Sequence, residues 1–260
     1  MNGFSFDLTV ALIAYVMSFV GCALGLLCAA RRRTSGQGQQ GRWLVLAALS
    51  IGGTGIWVMH FVAMLGSDVT GTPVRYDVSL TIISMIVAVV VVGIGLHIVG
   101  VNPEQRWRYP AAGLLTGSGV AIMHYVGMAA INVHGELHYD VPTVVASVLI
   151  AVVAATAALW FALHAGSTLT VLGAALIMGF AVSGMHHTGM AAASVALEAH
   201  SGAPDGMTGQ SLLLPLVIGI SFLTAVTLAV VALSPSEEEL EEDRRIEEGI
   251  ARFHERQRLL

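Results

Sequence analysis

The residues best suited to chemistry in this 260-residue chain are three histidines inside apolar runs, His60, His124 and His186, spaced 64 and 62 residues apart. Each stands in the same local pattern: GTGIWVMHFVAM at 53–64, GSGVAIMHYVGM at 117–128 and GFAVSGMHHTGM at 179–190. A methionine follows each histidine at i+4 (Met64, Met128 and Met190) and on a helix shares its face. The methionines that precede them, Met59, Met123 and Met185, point about 100 degrees away. Imidazole nitrogen beside thioether sulfur is a donor set for copper, Cu(I) above all. Zinc is less suited, because it favours thiolate or carboxylate alongside imidazole and these segments carry neither. Calcium and magnesium require oxygen ligands. An uncharged site in a low-dielectric setting favours a monovalent ion or an anionic ligand from outside. The competing reading is a hydrogen-bonded structural core inherited by repetition, with the methionines as space-filling residues. His187 stands where the other repeats have Phe61 and Tyr125, and reads as a supporting or packing residue more than a ligand.

The elements that must position these residues are membrane helices. Of the residues, 55% are hydrophobic and only 11% charged, too few charges to cover a water-exposed surface. Seven apolar stretches are long enough to cross a bilayer: Leu8–Ala30, Trp43–Gly66, Val78–Val99, Pro110–Asn132, Pro142–His164, Thr170–Val195 and Leu212–Leu233. The weakest boundary is the uncharged turn at 164–168. A β-barrel is excluded, since its strands would be about 10 residues of alternating polarity. The N-terminus lacks the basic segment of a cleavable leader, so the first stretch reads as a retained helix. Cys22 and Cys28, six apart, do not have redox or zinc-ribbon spacing and read as buried thiols. The twelve basic residues are all arginine and form no patch for nucleic acid.

Arginine placement orients the spans. Arg31, Arg32, Arg33, Arg42, Arg106, Arg108 and the five arginines after residue 233 fall on one side, and only Arg75 on the other. The positive-inside rule then places the N-terminus outside and the C-terminus in the cytoplasm. With this topology the three motif helices are parallel and their histidines lie at one depth near the outer surface. The fold expected is an all-α integral membrane protein of seven transmembrane helices, built as three parallel two-helix repeats (2–3, 4–5 and 6–7) plus an extra N-terminal helix. Glycines around the motifs, Gly52, Gly53, Gly55, Gly117, Gly119, Gly179 and Gly184, would let the motif helices converge. His97 and His164 close helices on the inner side. His134 and His138, with Glu136 and Asp140, and His200 with Glu198, lie in outer loops that could receive a cation but read first as solvated.

The repeated M-H-[FYH]-[VT]-x-M pattern on alternate spans resembles the MHYT domain, a bacterial integral membrane sensory module, over about Phe4 to Leu233. The tyrosine position is Phe61, Tyr125 and His187 here, and the threonine position Val62, Val126 and Thr188. The resemblance implies a copper site near the outer face, formed by His60, His124 and His186, with Met59, Met64, Met123, Met128, Met185 and Met190 at the flanking motif positions. It also implies a sensor of a diatomic gas (oxygen, carbon monoxide or nitric oxide) in the cytoplasmic (inner) membrane, not an enzyme. Residues 1–233 would form the membrane module and 234–260 a charged cytoplasmic tail, in which Ile246, Ile250 and Phe253 make a thin apolar stripe. Such modules are often joined to cyclase, phosphodiesterase, kinase or DNA-binding domains. With 27 residues after Leu233, output is expected through a separate membrane or cytoplasmic signalling protein. The alternatives are a metal transporter, channel or copper-handling protein and, less favoured, a membrane oxidoreductase.

Overall fold

The computed structural model describes residues 2–197, 204–234, 245–252, 254 and 257. Seven helices are long and apolar enough to cross a membrane: helix 1 (Leu8–Thr34), helix 2 (Gly38–Leu65), helix 3 (Val78–Val101), helix 4 (Arg108–Ala129), helix 5 (Val141–His164), helix 6 (Thr168–Ala191) and helix 7 (Gly209–Ala232). The chain is an all-α, multi-pass membrane protein. His200, Glu198 and Phe253 lie outside the described residues. In the tail, residues 245–252 are helical and Ile246 and Ile250 are exposed.

Helices 1 to 6 close into a ring in which each helix packs on its neighbours in sequence and helix 6 packs along helix 1. Helix 7 stands outside, against helices 1 and 2. The expected packing of helix 6 on helix 7 is therefore replaced: helix 1 takes the third partner position, and helix 7 is the extra element.

Local sequence explains the exchange. Helices 1, 3 and 5 each begin directly after an aromatic-Asp pair, 6–7, 76–77 and 139–140. Asp7, Asp77 and Asp140 accept backbone N–H bonds from their own first turns and cap the helices. These bonds hold the Asp7 carboxyl below its ordinary pKa, chiefly through the Val10 and Thr9 amides. Counted from each aspartate, the same positions are buried in all three helices: Cys22, Val92 and Ala155, then Leu26, Leu96 and Leu159. Helix 7 begins instead after Thr208.

The glycines fix the same pairing. An added Cβ at Gly52 would lie 2.7 Å from the carbonyl oxygen of Ala88, one at Gly117 would collide with the backbone of Val152, and one at Gly179 would lie 3.4 Å from the amide of Phe19. Ala88, Val152 and Phe19 sit 11 or 12 residues after their respective aspartates. These glycines thus seat the motif helices against helices 3, 5 and 1; they do not draw the motif helices onto one another, as expected from sequence.

Gly52 is eight residues before His60, whereas Gly117 and Gly179 are seven before theirs. The extra residue is absorbed because Leu49–Val58, in the middle of helix 2, is a π-helix, the wider winding that accommodates one inserted residue and clusters at functional sites.

The two ends of the ring are closed differently. At one end, residues 2–6 and the segments after the motif helices form three small sheets. Asn2–Gly3 and Gly135–Tyr139 flank Ala193–Leu197, Ser5–Phe6 pairs with Ser67–Asp68, and Ile131–Asn132 and Met207–Thr208 flank Arg75–Tyr76. Tyr76 is buried there and donates to the Met64 carbonyl at 3.1 Å; desolvation holds its phenol above the usual pKa. At the other end, three consecutive arginines satisfy carbonyls near the C-termini of three helices, where cations are favoured. Arg31 donates to Val231 of helix 7, Arg32 to Leu96 of helix 3 at 2.9 Å, and Arg33 to Ala162 and Ala165 at the end of helix 5.

Candidate metal centre

His60 follows the π-helical stretch of helix 2, His124 stands in the last two turns of helix 4, and His186 in the last two turns of helix 6. All three are fully buried at the sheet-capped end of the ring. Their Nδ1 atoms converge: His60 to His186 is 2.9 Å and His124 to His60 is 3.2 Å. The rings meet edge to face, with centroids 4.9 to 5.2 Å apart.

Hydrogen bonding alone does not satisfy this arrangement. Each Nδ1 carries either a proton or a lone pair. His60 Nδ1 takes part in both short contacts, so it cannot serve both as one well-formed donor or acceptor. The three Nε2 atoms are also buried, and none has a hydrogen-bond partner. With the proton on Nε2, all three Nδ1 lone pairs point at one spot. Three nitrogens around a first-row metal at about 2.0–2.1 Å would stand roughly 3.3–3.6 Å apart, so the two short contacts to His60 need open by only a few tenths of an ångström. The triad fits a metal ion. Among the described residues it is the one group of three or more His, Cys, Asp or Glu side chains with that convergence.

The room for these rings is made by small residues three positions after the neighbouring histidine. A Cβ at Gly127 would strike His60 Nε2, and one at Gly189 would strike His124 Nε2. The corresponding residue on helix 2 is Ala63, buried at 5% exposure. These small residues lie inside the repeated motif, where sequence alone assigns them no role. The usable signal was their fixed offset from the histidine.

The six motif methionines, Met59, Met64, Met123, Met128, Met185 and Met190, are all fully buried. His187 is not in the convergent group: its Nδ1 donates to the Ser183 carbonyl at 2.8 Å, and its ring lies edge-on to His186 with centroids 5.1 Å apart. The Tyr125 hydroxyl pairs with Ser147 of helix 5 at 2.7 Å, while Trp57 donates to the matching Ser84 of helix 3. Thr188 bonds within its own helix, to Gly184. The motif's hydroxyl positions thus brace helices and do not enter the triad. His134 and His138 lie in the sheet cap and do not join it. His97 is exposed, and His164 stacks on Trp160 at the opposite end. Cys22 and Cys28 are buried free thiols.

Two stretches, residues 53–113 and 117–175, match the family profile described as MHYT, bacterial signalling protein N terminal repeat. The chain belongs to the MHYT family. MHYT repeats are sensory modules of signalling proteins. Both matched stretches contain a motif helix followed by its partner, 2 with 3 and 4 with 5. The third motif lies outside them, on the one helix whose partner in space precedes it in the chain.

Among its relatives is the bifunctional diguanylate cyclase/cyclic di-GMP phosphodiesterase MucR of Pseudomonas aeruginosa, 43% identical over 198 residues, 74% of this chain and 28% of MucR. An uncharacterized signaling protein of Caulobacter vibrioides is 30% identical over 212 residues, 80% of this chain and 25% of the relative. The cyclic di-GMP phosphodiesterase NbdA of Pseudomonas aeruginosa is 30% identical over 213 residues, 80% of this chain and 27% of NbdA. The chain thus spans about a quarter of the length of these MHYT relatives. No solved structure matches it.

Proposed function

We propose that this MHYT chain is the input module of a membrane signalling system, in which His60, His124 and His186 hold a copper ion and the loaded site senses a diatomic gas. The observation that carries this reading is the convergence of three buried Nδ1 atoms whose ring partners, the Nε2 atoms, have no other use. Copper is favoured because six buried methionines flank the motif histidines in sequence, and thioether sulfur beside imidazole suits copper, Cu(I) above all. When bound, copper would supply an open coordination position for a small neutral ligand. The protein's part is to hold three imidazoles in one tautomer, keep bulk water out with the sheet cap, and keep the rings seated over Gly127 and Gly189.

The arginines at the end opposite the sheets support placing the N-terminus and the triad toward the outside of the cytoplasmic membrane, and the C-terminus inside. Residues 1–233 then form the membrane module and 234–260 the cytoplasmic tail. The catalytic names of the relatives suggest that the output is cyclic di-GMP turnover in a partner or an attached domain. Transport is disfavoured: one turn below the histidines the wall is Ile56, Val120 and Val182, with no polar carrier for an ion. Copper-edge X-ray absorption of protein purified without added metal tests the reading. A nitrogen shell near ~2.0 Å that changes on addition of carbon monoxide is expected; a spectrum unmoved by carbon monoxide, oxygen and nitric oxide refutes the sensor reading.

A further inference from the structure

We infer that the ring encloses a docking chamber for one small apolar gas molecule about one helical turn below the histidines, reached from the lipid between helices 5 and 6. The inference deepens the sensor reading, on which its biological meaning rests, but the physical claim stands on a cavity of its own.

That cavity has a volume of about 40 Å³ and is lined by helices 1 to 6 and not by helix 7. Its wall repeats three times. Ile56, Val120 and Val182 each stand four residues before a triad histidine, so each is one turn below it. Cys22, Val92 and Ala155 each stand fifteen residues after a capping aspartate. Equivalent residues from all three repeats surround the one cavity, which places it near the pseudo-threefold axis, about one turn below the histidines.

The size and chemistry of the chamber select the occupant. One water-sized molecule needs roughly 10–15 Å³ measured this way, so about three atoms' worth of space is present, enough for a diatomic and too little for a quinone, porphyrin or acyl chain. Water would find few partners: the one hydroxyl in the wall, Thr116, already donates to the Val91 carbonyl at 3.4 Å. Apolar cavities of this kind stay dry and take up apolar gases. The lining residues that keep partial exposure, Ala154, Ala158 and Val182, all belong to helices 5 and 6. The thin wall therefore faces hydrocarbon, where apolar gases are more soluble than in water.

Xenon, a neutral probe of apolar cavities, tests this on the full chain in detergent micelles by xenon NMR. Wild type should show a saturable shift above the linear response of empty micelles. Ala155→Leu, which fills the axis, and Ala158→Leu, which fills the thin wall, should each lose it, while the shape-conserving Thr116→Val should keep it. A purely linear response in wild type, or a saturable shift retained in both folded filling variants, would overturn the proposal. Copper content measured on the same samples separates the two readings: xenon binding in protein that holds no metal would sink the metal assignment and leave the chamber standing.

Discussion

Helix 1 and helix 7 have nearly the same apolar character, with mean hydropathy 2.3 and 2.4 over their most apolar stretches, yet 44% of the first stretch is buried and 6% of the second. Bilayer-crossing capacity therefore says nothing about membership in the ring. What separates them is the face each offers to protein. Helix 1 carries Ala14, Ser18, Gly21, Cys22 and Gly25, all buried, and Gly21 lies so close on Gly55 that a Cβ there would strike the Gly55 backbone. Ser18 adds a 2.6 Å bond to the Gly55 carbonyl. On helix 7 only Thr227 is buried, and a Cβ at Gly219 would meet open space. Lipid tails are as apolar as leucine, so helices associate through close packing and hydrogen bonds; helix 1 has both, whereas helix 7 lies more loosely on helices 1 and 2, tied also by the strand at Met207–Thr208 and the Arg31 contact to Val231.

The comparison is broken most severely by truncation. A chain lacking residues 1–35 leaves helix 6 without its partner, and the account expects no folded, monodisperse protein. A chain ending at residue 208 should stay folded and keep its metal. Size-exclusion profiles and metal content check both, and equal outcomes would show the two helices to be equivalent. The same contrast at one residue is Gly21→Leu against Gly219→Leu. The first forces helices 1 and 2 apart and should destabilise by about 3 kcal/mol or more; the second should change thermal stability by no more than about 0.5 kcal/mol. Next in size is Gly127→Ala, whose methyl displaces His60. Overpacking there should cost about 1–3 kcal/mol and lower copper content, while Gly173→Ala, on helix 6 where nothing lies within 4 Å, should alter neither. The smallest effect expected is for Asp77→Ala, which removes the cap of helix 3 and should cost about 1 kcal/mol without changing metal content, as read by thermal unfolding in detergent.

Much of this was legible in the chain. Unbroken apolar runs gave the seven spans because a bilayer imposes one length. The three Met-His motifs, on helices of the same direction, placed the histidines at one depth, and they do meet. Of the three expected pairs, 2–3 and 4–5 pack as chain order suggests, but helix 6 packs on helix 1 and not on helix 7, so chain order and spatial order part after helix 6. The deciding signal was nonetheless present, in the aromatic-Asp pairs at 6–7, 76–77 and 139–140 and their absence before helix 7. The π-helix of helix 2 left no such trace. In sequence Gly53 stands at the same distance from its histidine as Gly117 and Gly179, whereas Gly52 occupies that place in space, since a one-residue insertion absorbed by winding does not interrupt the apolar run. The roles of Gly127 and Gly189 depend on ring orientation across helices and could be seen only once the histidines were brought together.

The central claim, that three imidazoles from three repeats hold one metal ion, is tested most directly by elemental analysis of protein purified without added metal, wild type beside a His60→Ala/His124→Ala/His186→Ala variant of matched folding. The account predicts close to one copper per chain in wild type and none in the triple variant. Equal copper in both, or none in either, would contradict it.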